Sequence, residues 1–171
     1  LPSGPVIEIS AKEVDDVNIS STKIRRALLN GDINISKNYL GRPFLISGDV
    51  VSGDGIGTKI GFPTANISIN DETKLIPKNG VYGISTIYNK IEYFGLMNIG
   101  IRPSINTNKQ EKRVEVHILD FKENIYGEWL EVKLLTRVRN EIKFDSIKDL
   151  KKQILKDEIT VRDFIGRYIM S

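Results

Sequence analysis

From Phe44 to Arg139 the chain reads as strand after strand, joined by short turns, with no helical period anywhere in the run. Phe44 to Ser52, Gly80 to Tyr88, Ile91 to Ile99, Val114 to Phe121 and Tyr126 to Arg139 are the predicted strands. Asn89-Lys90 suits a tight hairpin between two of them. In the fourth, Val114, Val116 and Ile118 share one face while Glu115 and His117 share the other. Strands in succession without intervening helices point to an antiparallel closed barrel.

Helical patterns flank this region. Val6 to Ser10 read as a short strand, after which Ser20-Ser21-Thr22 offer an N-cap for a helix from Lys23 to Asn30, stopped by Gly31. Asp32 to Leu40 form a second helix, ended by Gly41. These two short helices bury little by themselves, and the division of the chain falls near residue 41. At the other end Asp145 or Ser146 caps a helix through Lys156, with Ile147, Leu150, Ile154 and Leu155 as its apolar stripe. Thr160 caps a last segment carrying Val161, Phe164, Ile165 and Tyr168.

Composition narrows the chemistry. The 171 residues include no cysteine, which excludes a disulfide framework, thiolate catalysis and Cys-ligated zinc. A single histidine, His117, excludes a multi-histidine metal site. Catalysis must use carboxylates, backbone N–H groups, Lys or Arg, and a hard cation. The 25 basic residues against 22 acidic ones give a net charge of only +3, without the concentrated basic stripe of a nucleic-acid binder. The densest basic stretches, Lys23 to Arg26 and Lys148 to Lys152, have helical spacing, and the second reads as an exposed helix face. No apolar run reaches the length of a membrane span, and Leu1 to Pro5 lack signal-peptide organisation. The expected compartment is the cytoplasm, with neither nucleic acid nor membrane as partner.

The run from Gly53 to Asn66 (Gly-Asp-Gly-Ile-Gly-Thr-Lys-Ile-Gly-Phe-Pro-Thr-Ala-Asn) carries the strongest chemical signal. Gly53, Gly55, Gly57 and Gly61 permit sharp turns and close approach of backbone N–H groups to a phosphate, and Lys59 adds a positive charge. Pro63 stiffens the chain before Thr64 and Asn66, whose neutral oxygens suit a hard cation such as Mg²⁺. The spacing matches neither a P-loop nor the dinucleotide fingerprint. By glycine count alone, a flexible hairpin loop is the favoured reading.

Further along come Gly80-Val81-Tyr82-Gly83, Asn98-Ile99-Gly100-Ile101-Arg102-Pro103-Ser104, Glu115-Val116-His117 with Asp120-Phe121, Tyr126-Gly127, and Arg139-Asn140-Glu141-Ile142-Lys143-Phe144. Together with the Pro-Thr-Ala-Asn segment, this series resembles the riboflavin kinase family, motif by motif and in the family's order, over roughly residues 41–158. Ser104 stands where the family usually has threonine, and Thr58 where many members have arginine. The resemblance implies a mainly β fold: a Greek-key antiparallel six-stranded β-barrel with C-terminal α-helices. It also implies transfer of the γ-phosphate of ATP to the riboflavin 5′-hydroxyl, giving FMN and ADP.

In that reading Glu115 is the catalytic base at the attacking hydroxyl, although by periodicity alone it is an ordinary strand glutamate facing solvent. Gly53, Gly55, Gly57, Lys59, Gly61, Thr64 and Asn66 bind the nucleotide, and Thr64 and Asn66 also hold Mg²⁺. Asn98 and Arg139 are candidate flavin contacts, with a surface ion pair as the alternative for Arg139. His117 is expected to be buried, hydrogen-bonded and structural. Asp120 is given a turn-capping or loop-orienting place, and Phe164 and Tyr168 either cover the flavin ring or pack on the barrel.

Ile19-Ser20-Ser21-Thr22-Lys23-Ile24-Arg25 resembles a motif near the end of the FMN adenylyltransferase module that precedes riboflavin kinase in bacterial bifunctional FAD synthetases. Leu40-Gly41-Arg42-Pro43-Phe44 is similar to the junction of the two modules. The implied organisation is a C-terminal remnant of the adenylyltransferase module, an α/β nucleotidyltransferase, over 1–41, and a kinase domain over 42–171. The adenylyltransferase also needs an H-x-G-H-type motif that one histidine at 117 cannot supply, so FAD synthesis is not expected. The alternative is a non-catalytic barrel that binds flavin or single-stranded nucleic acid.

Overall fold

The computed structural model describes residues 11–53, 55–71, 73–103 and 110–170. The strand expected over Val6 to Ser10 lies outside them. In chain order the elements are α1 (Ala11–Asn30), α2 (Ile33–Leu40), β1 (Phe44–Val51), α3 (Ile56–Lys59), β2 (Ala65–Ser68), β3 (Gly80–Tyr88), β4 (Ile91–Pro103), β5 (Gln110–Ile118), β6 (Trp129–Arg139) and α4 (Ile147–Ile169). The six strands close into an antiparallel barrel in the order β1-β2-β5-β4-β3-β6. β3, β4 and β5 form a meander and β6 returns beside β3, which is the Greek-key arrangement.

Alternation decides which side chains fill the barrel. Ile46, Val50, Ile67, Tyr82, Ile84, Met97, Ile99, Val116, Val132 and Leu134 point inward and form one continuous core. Asn89 and Lys90 both have positive φ, the turn that matches the twist of the β3–β4 hairpin. β2 adds a strand that the sequence reading did not resolve, with Ala65 and Ile67 in the core and Asn66 turned outward. β4 runs on to Pro103, whereas β5 stops at Ile118 because Leu119 and Asp120 form a tight turn, with Asp120 at φ 57°.

The helical hairpin α1–α2 is not an appendage in packing terms. Leu28 and Ile33 belong to the barrel's own core, so the hairpin closes one end of it. Gly31, at φ +84°, makes the corner and lies against Arg137, which stacks its guanidinium over the Tyr82 ring at 5.8 Å. The Tyr82 hydroxyl donates to the Lys78 carbonyl, and Lys78 N–H donates to the Leu28 carbonyl at 3.0 Å. Burial pushes the Tyr82 phenol's pKa up, with the Arg137 hydrogen bond opposing.

Two helix limits differ from expectation. α1 begins at Ala11, so Ser20, Ser21 and Thr22 lie inside the helix and do not cap it. The sequence from Ala11 to Asn18 has neither Gly nor Pro to interrupt the helix. The C-terminal region is one helix, α4, capped by Ser146, whose hydroxyl accepts from Asp149 N–H at 3.1 Å. Thr160 sits within it, and its hydroxyl donates back to the Lys156 carbonyl at 2.9 Å. α4 lies on the outer face of the barrel, where Val161 is wholly buried against Val81, Leu96 and Leu119.

Candidate active site

The site is built on the outside of the barrel, along one row of cross-strand pairs. Asn66 of β2 is paired with Glu115 of β5, Glu115 with Asn98 of β4, Asn98 with Val81 of β3, and Val81 with Arg139 of β6. Directly opposed residues share a face, so five adjacent strands present these side chains together. All five line a cavity of about 300 Å³ between the glycine loop and the first half of α4. Gly55, Gly57 and Thr64 form its loop side, and Leu150, Ile154 and Asp157 its helix side.

Arg139 reaches this face through a bulge. Tyr82 is paired with Arg137 and Val81 with Arg139, so Val138 is the extra residue. Regular period two would point Arg137 and Arg139 the same way. Instead Arg137 turns to the Tyr82 ring, while Arg139 turns to the cavity. There its Nε donates to Asp157 Oδ1 and Oδ2 at 3.0 and 2.9 Å, and its Nη2 lies 2.8 Å from Oδ2. Gln153 Nε2 donates to the same Oδ1 at 2.8 Å. The expected alternative of a surface pair does not apply, since the Asp157 side chain is only 4% exposed.

The glycine loop folds as a single helical turn, α3, followed by Gly61 and Phe62. The N–H groups of Lys59, Ile60, Gly61 and Phe62 are spent on the carbonyls of Gly55, Gly57, Thr58 and Gly57. Phosphate donors in the loop would have to come from its other residues. Gly53 abuts the amide of Asn66, and Gly57 abuts the Phe62 carbonyl and the Thr64 hydroxyl, with no room for a Cβ at either position. Gly53, Lys59 and Gly61 are not among the residues lining the cavity, although Gly53 supports one that is.

Behind the loop, His117 Nδ1 lies 2.8 Å from the Pro63 carbonyl, and its ring meets Phe62 edge-on at 5.6 Å. A carbonyl only accepts, so Nδ1 carries the proton in this contact. The histidine is half-buried and serves to hold the Pro63–Thr64 segment beside β5. Glu115 remains open to the cavity, its side chain 32% exposed, with Arg113 Nη1 3.8 Å from its Oε1. Asp120 is bound by both terminal nitrogens of Arg162 at 2.9 and 3.0 Å, which ties the β5 turn to α4. That hydrogen-bonded fork holds the Asp120 carboxyl's pKa below its usual value.

A second cavity, of about 270 Å³, opens at the barrel mouth between Thr58, Pro63 and Thr64 on one side and Phe121 to Tyr126 on the other. Thr64 borders both cavities. Phe164 and Tyr168 stack on each other at 5.8 Å beside Lys37 and Pro43, away from the row of Glu115. The sequence reading missed Asp157, Glu141, Leu150 and Ile154, which also line the first cavity. Glu141 lies over Gly100 next to Asn98, and it belongs to a stretch whose only sequence signal was its motif.

Among the described residues no helix is long and apolar enough to cross a membrane. Known proteins resemble this chain over most of its length. A bifunctional riboflavin kinase/FMN adenylyltransferase of Buchnera aphidicola subsp. Schizaphis graminum is 45% identical over 164 residues, covering 94% of this chain and 52% of that protein. The chain spans about half the length of the curated relatives it matches. A solved Streptococcus pneumoniae chain, described as a macrolide-efflux protein, superposes with TM-score 0.77 at 38% identity, over 84% of this chain and 46% of that one. Riboflavin kinase from Trypanosoma brucei shares the fold, with TM-score 0.52 at 24% identity over 73% of this chain and 81% of that one. The family model for flavokinase, riboflavin kinase, matches residues 40–165, and the chain belongs to that family, whose members make FMN from riboflavin and ATP.

Proposed function

We propose that riboflavin occupies the cavity beside α4 and ATP the cavity at the barrel mouth, with phosphoryl transfer where the two meet at Thr64. The shared border at Thr64 is the observation that carries this arrangement. Glu115 then lies at the riboflavin 5′-hydroxyl. As the hydroxyl oxygen bonds to the γ-phosphorus, its proton passes to the Glu115 carboxylate, and the bond from phosphorus to the bridging oxygen breaks to release ADP. Glu115, open to the cavity and paired across the sheet with Asn66, is suited to that task. Asn98 and Arg139 continue the same row toward the flavin ring.

The donors also fit a magnesium ion. Thr64 and Asn66 offer neutral oxygens, Glu115 is opposite Asn66, and the Asn66 amide rests against Gly53, where a Cβ would displace it. Among the described residues no group of three or more His, Cys, Asp or Glu is placed to hold a metal, so the shell must be completed by phosphate and water. Bound there, Mg²⁺ would neutralise phosphate charge. The protein's own part is to orient the hydroxyl, take its proton and exclude water under the glycine loop.

We assign residues 1–41 to the end of an adenylyltransferase module and 42–171 to the kinase, with the reaction placed in the cytoplasm. Neither a nucleic acid nor a membrane enters this reading. Its test is incubation with riboflavin, ATP and Mg²⁺, with flavins separated by chromatography. FMN that needs both ATP and metal, without FAD, supports the reading. Bound riboflavin without FMN would favour a passive flavin module, and FAD from added FMN would overturn the assignment of residues 1–41.

A further inference from the structure

We propose that Asp157 is a positioning residue for riboflavin: from α4 it fixes Arg139 so that the guanidinium meets the ring end of the flavin. This rests on the reading that the cavity beside α4 takes riboflavin. With the 5′-hydroxyl at Glu115, Arg139 stands three strand spacings away, roughly 14 Å along the sheet at ~4.8 Å each. That is the scale of a ribityl chain with the near part of its tricyclic ring. The pyrimidine edge of that ring carries carbonyl acceptors, and arginine is donor-only.

Arg139 is held from every side. Asp157 takes Nε and Nη2, the Asn140 carbonyl takes Nη1 at 3.0 Å, and the guanidinium lies over the Phe144 ring at 5.9 Å. These contacts use three of its five N–H groups and leave one on each terminal nitrogen. Asp157 is in turn fixed by Gln153. Packing alone does not call for this pair. The neighbouring face is apolar, with Val81, Leu96 and Val161, and replacing a buried ion pair by matched apolar side chains commonly costs nothing. What the pair adds is a guanidinium with one orientation at the cavity wall. Asp157 also stands where α4 changes role, between Ile154, which lines the cavity, and Val161, which anchors the helix to the barrel.

The test compares Asp157→Ala, Arg139→Met and the double variant Arg139→Met/Asp157→Leu with the unaltered chain. Riboflavin is titrated by its fluorescence without ATP, and KM and kcat are then measured for both substrates. Each single variant should weaken riboflavin about tenfold, in Kd and in KM, with kcat and the KM for ATP little changed. The double variant, which leaves no unpaired buried charge, should melt like the unaltered chain yet bind riboflavin as weakly as either single variant. Recovery of normal riboflavin affinity in the double variant, or normal affinity in Asp157→Ala, would overturn the proposal and leave the pair a structural one. If the unaltered chain itself binds no riboflavin, the reading of the cavity fails, and the role of Asp157 with it.

Discussion

Asn66 and Glu115 face each other directly across the β2–β5 ladder, on the outer side of a barrel whose inner side takes their neighbours Ala65, Ile67, Val114 and Val116. An amide oxygen suited to a cation and a carboxylate suited to a proton are thereby fixed by backbone register, not by a flexible loop. Replacing Glu115 by Gln keeps shape and hydrogen bonding but removes the proton acceptor. Turnover should fall about 10²- to 10⁴-fold, with riboflavin and ATP binding near normal. Chromatographic FMN assays beside fluorescence titrations check this, and turnover like that of the unaltered chain would remove Glu115 from the mechanism.

The glycine loop makes a separate prediction. A methyl group at residue 53 meets the Asn66 amide, whereas at residue 57 it meets the Phe62 backbone carbonyl, which has less freedom to move. Gly57→Ala should therefore be the more severe of the two. A displacement of about 1 Å at Thr64 and Asn66 corresponds to losses on the order of 10²-fold in kcat/KM for ATP. Riboflavin affinity, set on the far side of the cavity, should change little in either variant. Equal losses for both substrates would mean that the loop acts on the whole barrel instead.

The hairpin α1–α2 predicts how the chain unfolds. Leu28 is completely buried in the same core as Ile46 and Met97, so hairpin and barrel should lose structure together. Leu28→Ala should cost about 2–5 kcal/mol and lower the midpoint of a single urea transition. Two resolved transitions, with only the first displaced, would show that the hairpin is a separate unit.

How far the sequence could be read followed from the physics of each feature. Alternation in Val114 to Ile118 revealed an inward and an outward face, and Asn89-Lys90 revealed the β3–β4 turn, because both signals are local. β2 is four residues long and half polar, too short for alternation to stand out. The strand order around the barrel depends on contacts far apart in sequence. Glu115, Thr64 and Asn66 stood out as candidates only through the family resemblance, since periodicity alone gives Glu115 no distinction. Asp157 was invisible, since it pairs with a residue 18 positions away that a bulge at Val138 turns to the outer face.

Asp120 and Arg162 yield a pH prediction whose sign follows from the direction of the shift. The hydrogen-bonded fork of Arg162 lowers the Asp120 pKa in the folded chain, below the value of about 3.9 for an unfolded aspartate. A depressed folded value means stabilisation that is fully present above the unfolded pKa and is lost as pH falls through the folded one. Both side chains are well exposed, 75% for Asp120 and 45% for Arg162, so solvent and salt screen the pair. Asp120→Asn should therefore cost no more than about 1 kcal/mol at neutral pH and low salt, and less at high salt. Melting curves of the two proteins should differ near pH 6 and converge as the pH falls through the lowered folded pKa of Asp120, below which the aspartate is protonated in both states. A difference that persists undiminished in acid would assign the effect to the geometry of the turn, where residue 120 adopts φ 57°, and not to its charge.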